Sequence, residues 1–188
     1  MAGDSWDRFF VVTGGPGSGK STVIEALGRL GVAIMPEAGR AIIRDQVAIG
    51  GNALPWADRM AFAELMLSWE MRSYRSALDV KGPVVFDRGI PDVVGYLELC
   101  NLPVPAHMRR AVDLFRYHRR VFIAPYWPEI FAQDSERKQS PEEAAATYRA
   151  MFDVYKAAGY ELVHLPLAPV EERAEFILRT IGVLRASM

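Results

Sequence analysis

Cysteine is nearly missing from this chain. Cys100 is the only one, so no intrachain disulfide can form and a reducing compartment is the natural setting. Histidine is scarce too: His107, His118 and His164 are the three, and none stands at metal-ligand spacing, which argues against a zinc site. Neither sign of charge dominates. Lys and Arg number 22 against 23 Asp and Glu, a net charge of −1, so no basic field points to nucleic acid or to an anionic membrane. No apolar run approaches the roughly 18 residues that a membrane span needs. The opening Met1-Ala2-Gly3-Asp4-Ser5-Trp6-Asp7 lacks the basic-then-apolar order of a signal peptide. Internal repeats and low-complexity segments are absent as well. These absences predict a soluble, cytoplasmic protein with no nucleic-acid partner. The 188 residues, 51% of them hydrophobic, suffice for a single domain with a buried core over 1–188.

What is present near the start is Gly14-Gly15-Pro16-Gly17-Ser18-Gly19-Lys20-Ser21, which satisfies G-x-x-x-x-G-K-[ST]. Phe9-Phe10-Val11-Val12-Thr13 before it reads as a buried strand, and Val23, Ile24, Leu27 and Leu30 after it share one helical face. Strand, glycine loop and helix together make a phosphate cradle: glycines let backbone N–H groups curl round an anion, and the helix N-terminus adds partial positive charge. The pattern predicts a nucleoside triphosphate held by Gly15, Pro16, Gly17, Ser18, Gly19, Lys20, Ser21 and Thr22. Lys20 would reach the β- and γ-phosphates, and the Ser21 hydroxyl would sit on Mg²⁺.

Four more strands are predicted, at Val32–Met35, Pro83–Phe86, Arg120–Ala124 and Tyr160–Leu165, with helical sequence between most of them. That alternation implies a parallel sheet with helices on both faces. The excursion from Glu37 to Lys81 is broken into two helical pieces by Gly50-Gly51-Asn52 and Leu54-Pro55, and its stripe Phe62, Leu65, Met66, Trp69 reads as core. Ser140-Pro141-Glu142-Glu143 is a capping box that launches a helix ended by Gly159. Ala174, Ile177, Leu178, Ile181 and Leu184 stripe a closing helix. The run Arg116-Tyr117-His118-Arg119-Arg120 reads as a solvated helix end.

Ligands of open parallel sheets bind beyond the carboxyl ends of the strands, and charged residues gather there. Asp87 ends the third strand, as a magnesium-holding aspartate does, or else it caps the helix that follows. Glu37 follows the second strand; if Glu37 to Arg44 is helical, Glu37, Arg40 and Arg44 share a face, or Glu37 only forms an intrahelical ion pair. Arg88 and Asp92 either contact an acceptor or brace their loop. Three arginines round this cleft, Arg40, Arg44 and Arg88, predict an acceptor that is anionic or polyhydroxylated rather than apolar. The polar interval after the fourth strand makes 126–140 a lid, with Arg137 the candidate to close over the γ-phosphate.

The chain resembles small P-loop proteins labelled AAA-family or predicted ATPases, grouped with the ribosylnicotinamide kinase domain and with nucleoside- and nucleotide-kinase-like folds. The resemblance rests on residues 14–22, Pro36-Glu37-Ala38-Gly39-Arg40, Phe86-Asp87-Arg88-Gly89 with Asp92, Tyr126-Trp127-Pro128-Glu129, Asp134 with Glu136-Arg137, and Gly159-Tyr160-Glu161-Leu162. No arginine-finger or sensor pattern of a ring-forming AAA motor is present. The resemblance implies a three-layer α/β P-loop fold with strand order 2-3-1-4-5. It also implies a cleft between the second and third strand ends, where Glu37 or Asp87 is general base or metal carboxylate and Arg88 steadies the acceptor. Pro166 to Pro169 would lie along the adenine. The activity so implied is ATP- (or GTP-) and Mg²⁺-dependent phosphoryl transfer to a small-molecule hydroxyl or phosphate. The alternatives are a nucleotide switch signalling to a protein or lipid partner, and a slow NTPase.

Overall fold

The structure, a computed structural model, describes residues 5–130 and 140–184. Its centre is β1 (Phe9–Gly14), buried along its whole length. Side chains alternate across a strand: Phe9 and Val11 enter one core cluster, Phe10 and Val12 the other. Only a sheet covered on both faces can hide such a strand. β3 (Val84–Asp87) and β4 (Arg120–Ala124) flank it, with β2 (Ala33–Met35) and β5 (Glu161–His164) at the edges. All four pairings are parallel and the order is 2-3-1-4-5, as the resemblance implied.

One face carries α1 (Lys20–Arg29) and α7 (Val170–Thr180), closed by Val23, Leu27, Ala174 and Ile177. The other carries α3 (Arg59–Leu78), α4 (Ile90–Leu99), α5 (Ala106–Leu114) and α6 (Pro141–Ala157). α2 (Ala38–Ile49) leans on α3 through a smaller cluster of Ala38, Ile42, Ile43, Leu54 and Phe62.

Local signals set the breaks. Gly50, at φ 67°, ends α2, and Asp58 starts α3 by accepting a 2.9 Å bond from the Ala61 amide. The capping box of α6 forms both ways: Glu143 N donates to Ser140 Oγ (3.2 Å) and Ser140 N to Glu143 Oε2 (2.7 Å). Two readings need correction. The 116–120 run is no solvated helix end, because α5 stops at Leu114 and the chain already runs beside β1. His118 N donates to Phe9 O at 2.7 Å, and Tyr117 is buried against Tyr74 and Phe86. In the α3 stripe Phe62 is buried, but Leu65 faces outward and Met66 and Trp69 are only half-buried. No helix among the described residues is long and apolar enough to cross a membrane.

Candidate active site

The phosphate loop follows β1 without an intervening residue. Gly14 and Gly19 have φ of 131° and 73°, conformations that side-chain-bearing residues rarely adopt. A Cβ on Gly14 would lie 2.4 Å from the Ala124 carbonyl oxygen, and one on Gly15 2.5 Å from that of Ala144. The loop is therefore wedged between β4 and the first turn of α6. Lys20 opens α1, and its Nζ donates to the Gly15 carbonyl (2.6 Å) beside Ser18 Oγ (3.3 Å). Ser21 and Thr22 stand exposed on the same first turn.

Asp87 is the last residue of β3. The capping alternative falls, since α4 starts at Ile90 and Gly89 is its N-cap. The carboxylate is buried, and its Oδ1 has no hydrogen-bond partner among the described residues. Burial, and then repulsion from Glu37, push this group up to about 6, against the pull of Lys20 and Arg88. A buried carboxylate oxygen without a partner, beside the loop's lysine and hydroxyls, fits Mg²⁺, which takes one or two carboxylates plus substrate phosphates and water. Asp87 and Ser21 are the residues that would hold it.

Glu37 is the N-cap of α2, at φ −57° and ψ 131°, outside the helix. The shared helical face with Arg40 and Arg44 is thus not formed as expected. Instead Glu37 sits between two guanidiniums, Arg40 Nε at 3.5 Å and Arg88 Nε at 3.4 Å. Arg44 is exposed on α2, and neither it nor Arg40 lines the cavity described below. The expected convergence of three arginines needs correction: of the three, only Arg88 lines the cavity, while Arg40 pairs with Glu37 and Arg44 is exposed on α2.

Asp92, on α4, braces its loop. Oδ1 accepts from Thr13 Oγ1 (2.6 Å) and Arg88 Nη1 (3.0 Å); Oδ2 accepts from Gly89 N (3.0 Å) and Tyr155 Oη (2.6 Å). A carboxylate offers about four lone-pair sites, so none remains for an acceptor. Arg88 itself adopts φ 75°, a strained conformation for a residue other than glycine that costs of order 1–3 kcal/mol. Burial opposes its charge, but Glu37, Asp92 and Asp87 outweigh that and hold the guanidinium protonated.

Beside these groups opens a cavity of about 640 Å³, reaching from Pro16 of the phosphate loop, Glu37 and Arg88 to Cys100 and Asn101. Its walls are mostly apolar, with Phe62, Met66, Val93, Tyr96 and Met151 among them. Glu70 of α3 also lines it, 4% exposed. Sequence reasoning missed Glu70, although a signal existed: it interrupts the apolar stripe Phe62, Met66, Tyr74 at four-residue spacing. It missed Arg173 too. This α7 residue is 2% exposed, its Nε has no partner, and its Nη1 lies 2.7 Å from where a Cβ on Gly19 would stand. Pro169, expected along the adenine, is the N-cap of α7 and exposed. Arg137 and most of the 126–140 lid lie outside the described residues.

Fold and phosphate loop define the class: a kinase-like P-loop NTPase domain. A family model described as AAA domain matches residues 9–173, and the chain belongs to that family. No curated protein matches the sequence. Among solved structures, deoxyadenosine kinase from M. mycoides, with dCMP and a flexible dCDP bound, shares 14% identity over 94% of this chain and 100% of its own, at TM-score 0.65. The NadR protein in complex with NR shares 16% over 97% of this chain, at TM-score 0.74; this chain spans 54% of that one. Thymidylate kinase from Ehrlichia chaffeensis shares 16% over 94% and 98%, at TM-score 0.60. At such identities these likenesses carry the fold.

Proposed function

We propose that this chain is an ATP- and Mg²⁺-dependent phosphotransferase acting on a small-molecule acceptor. The observation that carries this reading is the cavity of about 640 Å³ that begins at Pro16 and holds Glu37 and Arg88 where strands β2 and β3 end. A nucleotide switch or a plain NTPase needs a phosphate loop, but not a ligand-sized chamber opening onto it. The neighbours of the same fold that carry the names deoxyadenosine, thymidylate and shikimate kinase lend support. The scarcity of cysteine suits a reducing cytoplasm.

Bound magnesium would bridge and neutralise the triphosphate. Within the chain, Lys20 holds the phosphates while Ser21 and Asp87 face the metal. Glu37 lines the cavity and Asp87 does not, so Glu37 is the residue to accept the proton of the acceptor's hydroxyl. Its ion pairs with Arg40 and Arg88 aim the carboxylate. Arg88 steadies the acceptor.

The test is a metabolite screen for ATP consumption, repeated with GTP, with products identified by mass spectrometry. Acceptor-dependent ADP release, lost in Glu37→Gln and Lys20→Ala, is the expected result. Hydrolysis indifferent to every acceptor would replace the kinase reading with the NTPase one.

A further inference from the structure

Glu70 has no place in the roles above, yet it is the most deeply buried carboxylate of the cavity. Among the described residues its carboxyl makes no hydrogen bond or ion pair, although Asp92, Asp87, Arg88 and Glu37 are its electrostatic neighbours. A buried polar group without a partner costs stability, and side chains of this kind persist where a ligand completes them. The surroundings say what kind of ligand. Arg88 is the guanidinium facing this end of the cavity, and it is already held by Glu37 and Asp92. At this end Glu70 is the carboxyl with bonding capacity left for a ligand among the described residues, and Arg59 lines the same cavity. Phe62, Met66, Tyr96 and Met151 call for an apolar body.

We infer that Glu70 is an acceptor-recognition residue, and that the acceptor carries an apolar ring and two hydrogen-bond-donating groups. One donor is the hydroxyl offered to Glu37, and the second is a hydroxyl or N–H received by Glu70. This rests on the phosphotransferase reading and narrows its substrate class to ring-bearing acceptors with a second donor beside the reacting hydroxyl. Burial, then the charges of Asp92 and Asp87, push the Glu70 carboxyl well above its usual range.

The test uses matched compounds, ribonucleosides and their 5′-monophosphates together with aromatic amino alcohols, each with Mg-ATP, against wild type, Glu70→Gln and Glu70→Met. The expected result is turnover of members that offer a hydroxyl and a second donor, with KM raised at least tenfold in both variants. Urea midpoints of the free variants should equal or exceed that of wild type. A midpoint well below wild type, or an unchanged KM, would each overturn the proposal. If nothing is phosphorylated, thermal-shift binding of the same panel separates the two readings. Glu70-dependent binding of such members would sink phosphotransfer and keep the recognition site, whereas absence of any such binding would sink the recognition site.

A separate observation concerns the donor side. The guanidinium of Arg173 is buried against Gly19, with the Trp127 ring 5.9 Å away and no carboxylate bonded to it among the described residues. Gly19 gives it room, since any Cβ there would clash. We propose that Arg173 is a nucleotide contact whose guanidinium binds the donor's phosphates from the α7 side of the loop. A buried cation with no bonded carboxylate among the described residues, and only a ring at 5.9 Å, should be dispensable to the free protein. Arg173→Met should accordingly keep its urea midpoint and bind ATP at least tenfold more weakly by calorimetry. A lowered midpoint, or ATP affinity equal to wild type while Lys20→Ala loses binding, would overturn it.

Discussion

Asp87 shows how one residue can trade stability for chemistry. Its carboxyl titrates near 6 in the fold against an ordinary value of 3.8. The folded state therefore binds its proton more tightly than the unfolded chain does. Stability from that difference is fully present below 3.8 and is lost as pH rises through about 6. The gap is worth about 3 kcal/mol, and the free protein gives it up at neutral pH, where the ionised oxygen is ready for a cation. Asp87→Asn should remove this loss. Urea denaturation of the nucleotide-free proteins should show the variant gaining on wild type between pH 4 and pH 8. Glu70 is raised in part by the Asp87 charge, so its response to losing that charge adds to the difference curve with the same sign. A flat difference curve would show that Asp87 is not held in this environment.

At the level of elements, Asp92 joins parts that are far apart in sequence. Through Thr13, Arg88, Gly89 and Tyr155 it ties β1, the turn after β3 and helix α6 to α4. Removing one partner from such a buried network leaves the others unpaired, at a cost of about 3–5 kcal/mol. Asp92→Ala should therefore lower stability by that order, and its loss of activity should follow the unfolded fraction in denaturant titrations. Normal stability with lost turnover would make Asp92 an acceptor contact after all. The contrast with Asp87 explains what was legible in the sequence. The phosphate loop, the strand-end carboxylates and the α6 capping box are local patterns whose physics needs only a few neighbouring residues, and they stand where they were read. Whether Asp92 touches a ligand or a tyrosine 63 positions later is decided by packing, and no local pattern carries it. Arg44 was misplaced for a related reason: the face that α2 turns inward is set by packing of Ala38, Ile42 and Ile43 on Leu54 and Phe62, which spacing from Glu37 does not reveal. Arg173 lies on a helix far along the chain from the loop it meets, and periodicity alone marks it only as one charged residue among several.

The whole molecule links these parts through the phosphate loop, which touches every layer. β1 leads into it and α1 leaves it. Ala124 of β4, Ala144 of α6 and Arg173 of α7 crowd its glycines. A ligand held by this loop consequently stabilises the domain as a unit rather than one segment of it. A ligand that binds only the folded state adds RT ln(1 + [L]/Kd), about 2.7 kcal/mol at a hundredfold excess over Kd. For a chain of 188 residues, at roughly 2–4 °C per kcal/mol, Mg-ATP should raise Tm by about 5–10 °C in a single cooperative transition. Lys20→Ala should keep the unliganded Tm to within a few degrees, because its Nζ donates to the loop's own Gly15 carbonyl and Ser18 hydroxyl, yet lose the shift. Differential scanning calorimetry with Mg-ATP, with ATP plus chelator and with no addition measures both quantities together. A shift of full size in Lys20→Ala would place the nucleotide elsewhere. A transition that splits in two on adding Mg-ATP would mean that the loop binds without engaging β4, α6 and α7, against the close packing seen around Gly14, Gly15 and Gly19.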